Sequence, residues 1–321
     1  RLKKLVTAPQ KKRAAQHLVG VKRYPQRRVC RLIGLPRSSS RYEPMRNSEE
    51  ESNLVERLKQ FVRNPRKRRR GYRLAHKDIA REWMKAGKAL NHKRVYRLWR
   101  REGLSVAPRR VRKRIRTGNC VGGHVAGQPN AVWCFDFIEI KSIRRQKLRV
   151  FCVSDEFTRE SLAIEVETSF VSEKVCAVLE RLIAKHGMPN AFRMDNGPEF
   201  IALALRGLCH RRGINAAYID PGKPWQNGYA ESFHSRLRDE YLDGEVFWGV
   251  RDARVGLNSY RSYFNTERLH SSLGYQTPFE FVASYSHSKG EQSEDAITAR
   301  MATDMSTNEE SNYKSVDDCE A

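Results

Sequence analysis

Three acidic residues, Asp136, Asp195 and Glu231, have the type and setting to do chemistry. Asp136 lies inside "WCFDFI", among Trp133, Cys134, Phe135, Phe137 and Ile138. A bare carboxylate in such a run is costly unless it is paired, solvated or bound to a cation. Asp195 follows "AFRM" and faces Asn196-Gly197. Alone it reads as turn chemistry, since Asn and Gly tolerate positive φ. Glu231 falls one turn into the helix expected from "WQNGYAESFHSRLRDEY", and alone it is a solvated helix charge. Together the three are a set of hard oxygen donors for divalent cations. Two such ions about 4 Å apart activate an attacking oxygen and stabilise a leaving one in phosphodiester cleavage.

The elements that must position these acids follow from the residue pattern. Residues 131–140, 147–157 and 161–168 are β-type runs joined by short polar connections, which predicts an antiparallel meander carrying Asp136. A helix over 171–187, with apolar residues at helical spacing, ends at Gly187. Strand 190–194, helix 199–213, strand 214–219 and a helix from about Gln226 complete the pattern. Upstream, 10–23 and 25–34 read as a helical pair, 36–52 as a linker, and 52–64, 74–87 and 91–104 as further helices. Asn91 is a candidate cap for the last of these, and Lys93, Arg94, Arg97, Arg100 and Arg101 surround an apolar stripe of Val95, Leu98 and Trp99. That helix is a candidate for DNA recognition, or else a basic solvated face. The expected organisation is a helical helix-turn-helix-like segment over 1–45, a second over 52–105, a basic linker over 106–130, a core over 131–285 and an acidic disordered tail over 286–321.

The formal charge of +24 on 321 residues is concentrated at one end. Residues 1–116 carry 38 Lys and Arg against 8 acids, 117–285 carry 20 against 20, and 286–321 carry 3 against 9. Such a basic arm calls for a polyanion, with counterion release favouring association, and nucleic acid is the first candidate. No apolar stretch approaches the roughly 18 residues needed to span a bilayer, so no membrane partner is expected. The 7 cysteines are odd in number and scattered, without zinc-finger spacing, and are expected to be reduced thiols in a cytoplasmic protein.

"WCFDF", "RMDNGPEF" and "DPGKPWQNGYAESFHSRLRDEYL" resemble the three blocks of the DDE integrase core of bacterial insertion-sequence transposases. The likeness is to the second-frame product, OrfB, of the family whose elements carry two overlapping reading frames, a family similar to retroviral integrases. It extends to "DEFTRESLAI" at 155–164, "NTERLHSSLGYQTPFEF" at 265–281, and the helical segments "GYRLAHKDIAREW" and "NHKRVYRLWRREGL". The resemblance implies an α/β fold, a ribonuclease-H-like core with a mixed sheet and flanking helices. It implies that Asp136, Asp195 and Glu231 are the catalytic triad, holding two magnesium ions, with manganese as a substitute. The activity implied is that of a transposase, a polynucleotidyl transferase that cuts DNA at element ends with water and joins the freed 3′ hydroxyl to target DNA, with no covalent protein intermediate.

Arg238 matches a basic position after the last acid, and Trp225, Gln226 and Asn227 are further candidates to place a base or phosphate. The implied partners are double-stranded DNA carrying terminal repeats and target sequence, a second copy of the chain, and an upstream-frame product. The implied setting is the bacterial nucleoid. An element-derived DNA-binding regulator with an inactive core, and a nuclease of the same fold without strand transfer, are the alternatives. Four features depart from the pattern: the first hairpin, "EIKSIRRQKLR", has no Gly or Asn; Leu269 stands where the family commonly has Pro; the acidic tail is longer than expected and has no matching motif; and Arg1 stands in place of Met, as expected either of frameshift translation or of truncation.

Overall fold

The computed structural model describes residues 7–42, 48–105, 126–220 and 223–288. Most of the expected basic linker over 106–130, residues 43–47 of the expected linker over 36–52, and nearly all of the expected acidic tail lie outside these residues. The chain divides into two compact units, 1–56 and 57–321.

In the first unit, α1 (Ala8–Gly20), α2 (Gln26–Ile33) and α3 (Arg37–Arg41) enclose a small core of Ala15, Val29 and Leu35. Gly34, at φ 64, ends α2 in the left-handed conformation that favours glycine. The start of the expected linker is helical instead. Pro36 brings a φ of −55, already suited to a helix entrance, and its carbonyl accepts the Ser40 N–H at 3.0 Å. With no apolar stripe, that turn left no periodic signal.

The second unit takes up the end of α4 (Ser48–Arg63), then α5 (Tyr72–Lys85) and α6 (His92–Arg101). Ala75 and Ile79 of α5 and Val95, Leu98 and Trp99 of α6 are buried, and Phe61 meets the Trp99 ring edge-on at 6.3 Å. Asn91 caps α6 by accepting the Lys93 N–H at 2.8 Å.

The core is one five-stranded sheet. β1 (Val132–Lys141), β2 (Lys147–Asp155) and β3 (Ser161–Glu167) form the antiparallel meander. β4 (Ala191–Met194) and β5 (Asn215–Tyr218) join in parallel beyond β1, giving the order β3-β2-β1-β4-β5. This mixed sheet with flanking helices is the ribonuclease-H-like arrangement. The turn between β1 and β2 places Arg145 at φ 59, a left-handed position usually held by Gly or Asn, and closes through the Ser142 N–H to the Gln146 carbonyl at 3.0 Å.

Period-two alternation sends Trp133, Phe135 and Phe137 of β1 to one face, against α7 (Ser172–His186) and α9 (Leu203–Arg212). The other face carries Cys134, Asp136 and Ile138 toward α10 (Gly228–Glu240) and α11 (Val250–Thr266). The single helix expected over 199–213 breaks at Ala202, between α8 (Pro198–Ile201) and α9. Phe200 and Leu205 both enter the first cluster, and residues five apart on an unbroken helix point about 140° away from each other. A 3-10 turn over Pro224–Asn227 precedes α10, and α12 (Pro278–Ser288) closes the described chain. Asn265 of α11 is fully buried and covers the β3 edge, accepting the Ser161 N–H at 2.9 Å and donating to the Ser161 carbonyl at 3.0 Å. Leu269 is buried too.

Arginines fasten the α5 region to the C-terminal helices. Arg69 pairs with Asp239 at 2.7 Å, Arg81 with Glu280 at 2.9 Å, and Arg66 donates to Ser259 Oγ at 3.2 Å. At the centre, Glu240 receives Arg268 at 2.7 Å and Arg70 at 3.1 Å, all three being buried. Burial pushes the Glu240 carboxyl up, but bonds and charge from Arg268 and Arg70 outweigh it and the net shift is downward. Glu240→Ala strands two buried guanidinium groups and is expected to cost about 3–5 kcal/mol in urea unfolding. Asp239→Ala, at a pair about one-third exposed, should cost no more than about 1 kcal/mol.

His270 supplies a pH dependence. Burial first, then the charges of Arg268, Arg236 and Arg70, push it from 6.5 down to about 2. Its stabilising contribution is therefore complete above pH 6.5 and is lost as pH falls, because the unfolded chain takes up the proton first. The stability difference between the wild type and His270→Gln is expected to shrink by about 1.4 kcal/mol per pH unit below that point, read from melts at pH 7, 6 and 5.

Candidate active site

Asp136 is half-buried, opposite Cys152 on β2, and its Oδ1 accepts the Phe137 N–H at 2.7 Å. Burial is the main reason its pKa stands at about 6, and the carboxylates of Asp195 and Glu231 push it up further. The register explains why they meet. β1 and β4 are parallel with Cys134 opposite Arg193, so Asp136 and Asp195, two residues on, leave neighbouring strands side by side. Glu231 reaches the same face from the first turn of α10.

Asp195 Oδ1 accepts the Gly197 N–H at 2.9 Å, and Asn196 Nδ2 donates to the Ile219 carbonyl at 2.7 Å, tying the end of β4 to the end of β5. Positive φ plays no part here. Gly197 stands at φ −59, and it is needed for space. A Cβ there would lie 3.0 Å from Asp195 Oδ1 and 3.4 Å from the Phe200 ring. Glu199 beside it is held by Arg149, whose guanidinium lies 4.1 Å over the Phe137 ring.

α10 separates its duties by face. Ala230, Phe233, Leu237 and Glu240 are buried, while Glu231, His234 and Arg238 follow one another along an adjacent stripe. His234 was not singled out from sequence, although its place three residues after Glu231 signals a shared face. Its Nδ1 is 3.6 Å from Asp136 Oδ2, and its Nε2 is buried without a hydrogen-bond partner. Burial, then the Arg238 charge, lowers its pKa to about 4, so it is neutral at pH 7. Arg238 is exposed.

Of the expected DNA contacts on this loop, Gln226 also has structural work. Gln226 clamps the loop ahead of α10, accepting the Asp220 N–H at 2.7 Å and donating to Asp220 Oδ2 at 3.0 Å. Asn227 is buried, with its Oδ1 unpartnered. The Trp225 side chain lies outside the described set. On α6, Lys93, Arg97, Arg100 and Arg101 are exposed, whereas Arg94 is half-buried with its guanidinium 5.9 Å over Trp83.

The donors at the triad are hard oxygens, and the proton affinity they give Asp136 marks a place where a cation would relieve repulsion. This set suits a hard divalent cation. As placed, no group of three His, Cys, Asp or Glu side chains among the described residues could by itself hold a metal ion. The same residues contain no helix long and apolar enough to cross a membrane.

Sheet order and converging acids define a ribonuclease-H-like integrase core. The model of the integrase core domain matches residues 126–224, and a second integrase core domain model matches 212–278. The chain is 36% identical over 263 residues to the 31.7 kDa protein of insertion element IS407 from Burkholderia multivorans, covering 81% of this chain and 91% of that one. It is 33% identical over 283 residues to the 39.2 kDa protein of IS476 from Xanthomonas euvesicatoria, covering 87% and 78%. The transposase InsD of IS2D from Escherichia coli is 28% identical over 177 residues, covering 53% and 58%. The chain belongs to the integrase-core transposases of bacterial insertion elements.

Gly197→Ala tests the crowding at Asp195. It is expected to leave the melting temperature within a few degrees of wild type. The displaced Asp195 carboxylate is expected to lower cleavage of element-end DNA, in the assay given below, roughly 10- to 100-fold.

Proposed function

We propose that the chain cleaves DNA at insertion-element ends and transfers the freed 3′ end to target DNA, with Asp136, Asp195 and Glu231 as its metal-binding triad. The observation that supports this reading best is the raised pKa of Asp136, which burial and the two other acids produce together at one face of the sheet. Two magnesium ions, replaceable by manganese, would supply nucleophile activation and charge stabilisation when bound. The protein's part is positioning. β1 and β4 hold two carboxylates in fixed register, and the Asn196 bond to Ile219 and the Gly197 bond to Asp195 fix the second of them. α10 brings Glu231, with neutral His234 against Asp136.

Arg238, exposed on that stripe, suits a backbone phosphate, for which a guanidinium offers paired donors. Lys93, Arg97, Arg100 and Arg101 suit phosphates along the duplex, and Arg94, against Trp83, supports their helix. Gln226 and Asn227 contribute by shaping the loop that leads to Glu231. The basic arm supplies sequence-independent affinity while the neutral core does the chemistry. Synapsis of two ends calls for a second copy of the chain, and the upstream-frame product is the further partner. The bacterial cytoplasm, at the nucleoid, is where these partners would meet.

The test is labelled DNA carrying the element's ends, incubated in magnesium with wild type and with Asp195→Asn. Cleavage and joining by the wild type, reduced about 10³-fold or more in the variant, is the expected result. Binding without cutting or joining, with the upstream-frame product supplied, would overturn it in favour of a regulator.

A further inference from the structure

A cavity of about 400 Å³ lies one step from the triad on the same face of the sheet. Each triad element lines it with a near neighbour of its acid: Cys134 on β1 and Arg193 on β4, two residues before Asp136 and Asp195, and Tyr229 and Ser232 on α10, flanking Glu231. Three more guanidinium groups line the wall: Arg159 from the β2–β3 turn, Arg236 from α10, and Arg268 from the loop after α11, the last already held by Glu240.

The arginines are not equivalent. Arg193 is spent on Glu156, with two contacts at 2.6 and 2.8 Å. Asp155, the acid on the wall, already accepts the N–H groups of Asn130, Phe157 and Thr158 at 2.6 to 3.0 Å. Arg159 adds its charge to the same Glu156, but its Nη1 is buried without a hydrogen-bond partner, and its guanidinium lies over the Tyr229 ring at 3.9 Å. It is also held at φ 63, a left-handed backbone that costs a non-glycine residue about 1 kcal/mol or more. Arg236 is exposed at the cavity, near enough to Glu240 to feel its charge. A strained, stacked and unsatisfied guanidinium facing a cavity is a donor set lacking its acceptor. Phosphate is the acceptor that guanidinium matches with paired donors.

We infer that this cavity is a phosphate subsite, in which Arg159 and Arg236 hold a backbone phosphate of the DNA strand whose neighbouring phosphodiester lies at the triad. The inference rests on the transposase reading above and adds to it a second phosphate anchor, on the opposite side of Glu231 from Arg238. Tyr229 serves as a platform for the Arg159 fork, and Ser232 is a neutral donor on the same wall.

The test is binding of end duplexes by the full chain in calcium, using a series in which a single methylphosphonate removes the charge from one phosphate at a time. In the wild type, one or two positions near the cleavage point are expected to weaken binding. Arg159→Asn, which tolerates the left-handed backbone, and Arg236→Gln are each expected to weaken the unmodified duplex roughly tenfold. Each should also lower the slope of log affinity against log salt by about 1, and the sensitive positions should become silent. Arg159→Lys should restore part of the loss. Variants that melt like wild type and keep its affinity and its methylphosphonate pattern would overturn the inference while leaving the cleavage reading intact. Should Arg159→Asn not fold, Arg236→Gln, at an exposed helix position, decides alone. Stabilisation of the wild type, but not the variants, by inorganic phosphate or deoxynucleoside monophosphate with the DNA pattern unchanged would assign the cavity to a free phosphate and overturn the DNA source. Failure of the wild type to bind or cut the end duplex would remove the transposase reading and this inference together.

Discussion

The cost of placing a carboxylate on the central strand governs the structure. Asp136 occupies a position whose neighbours on the same face, Ile138 and Cys152, belong to an apolar cluster. Burial raises its pKa, the carboxylates of Asp195 and Glu231 raise it further, and the Phe137 N–H offsets part of this. A sheet designed for stability alone would put Val or Ile there. The arrangement is sustained because the sheet's other face carries a dense aromatic core, with Phe135, Phe151, Phe192 and Phe200 buried. The surplus from one face tolerates the deficit on the other, in the way functional sites commonly trade against stability.

Glu240 is the second fixed point. It terminates the helix that begins at Glu231's turn, and it is held by Arg268 from the loop after α11 and by Arg70 from the segment before α5. Replacing three buried charged groups with hydrocarbon would often be neutral or stabilising. What the ion network provides that hydrocarbon does not is direction: each guanidinium bonds Glu240 in one geometry, so the axis of α10 is referenced to two distant parts of the chain. The segment before α5 and the helix carrying Glu231 thus share one anchor.

Much of this was legible in the residues because it depended on local period and on residue type. The meander, the crossover helix α7 with its Gly187 stop, and the buried stripe of α6 all follow from apolar spacing. The acids were legible because a charge in "WCFDFI" contradicts its surroundings. What was not legible depended on tertiary choice. The break at Ala202 exists because Phe200 and Leu205 compete for one cluster, which no propensity records. Gly197 was legible both as a residue that tolerates positive φ and as one without side-chain bulk, and the structure uses the second property. Gln226 and Asn227 were legible as polar residues near an expected catalytic helix, but not the loop clamp of the one or the burial of the other. Arg159 carried no signal at all, since its left-handed backbone and its stacking on Tyr229 are products of the folded turn.

The charges around Asp136 have a physical consequence for the core. Arg149 is engaged by Glu199, Arg193 by Glu156 and Arg268 by Glu240. His234, in contact with Asp136 at 3.6 Å, is kept neutral by burial and by Arg238. Asp136 therefore sits under the influence of two carboxylates and beside a neutral imidazole, and a cation at that place would relieve the repulsion that helps to hold its pKa up.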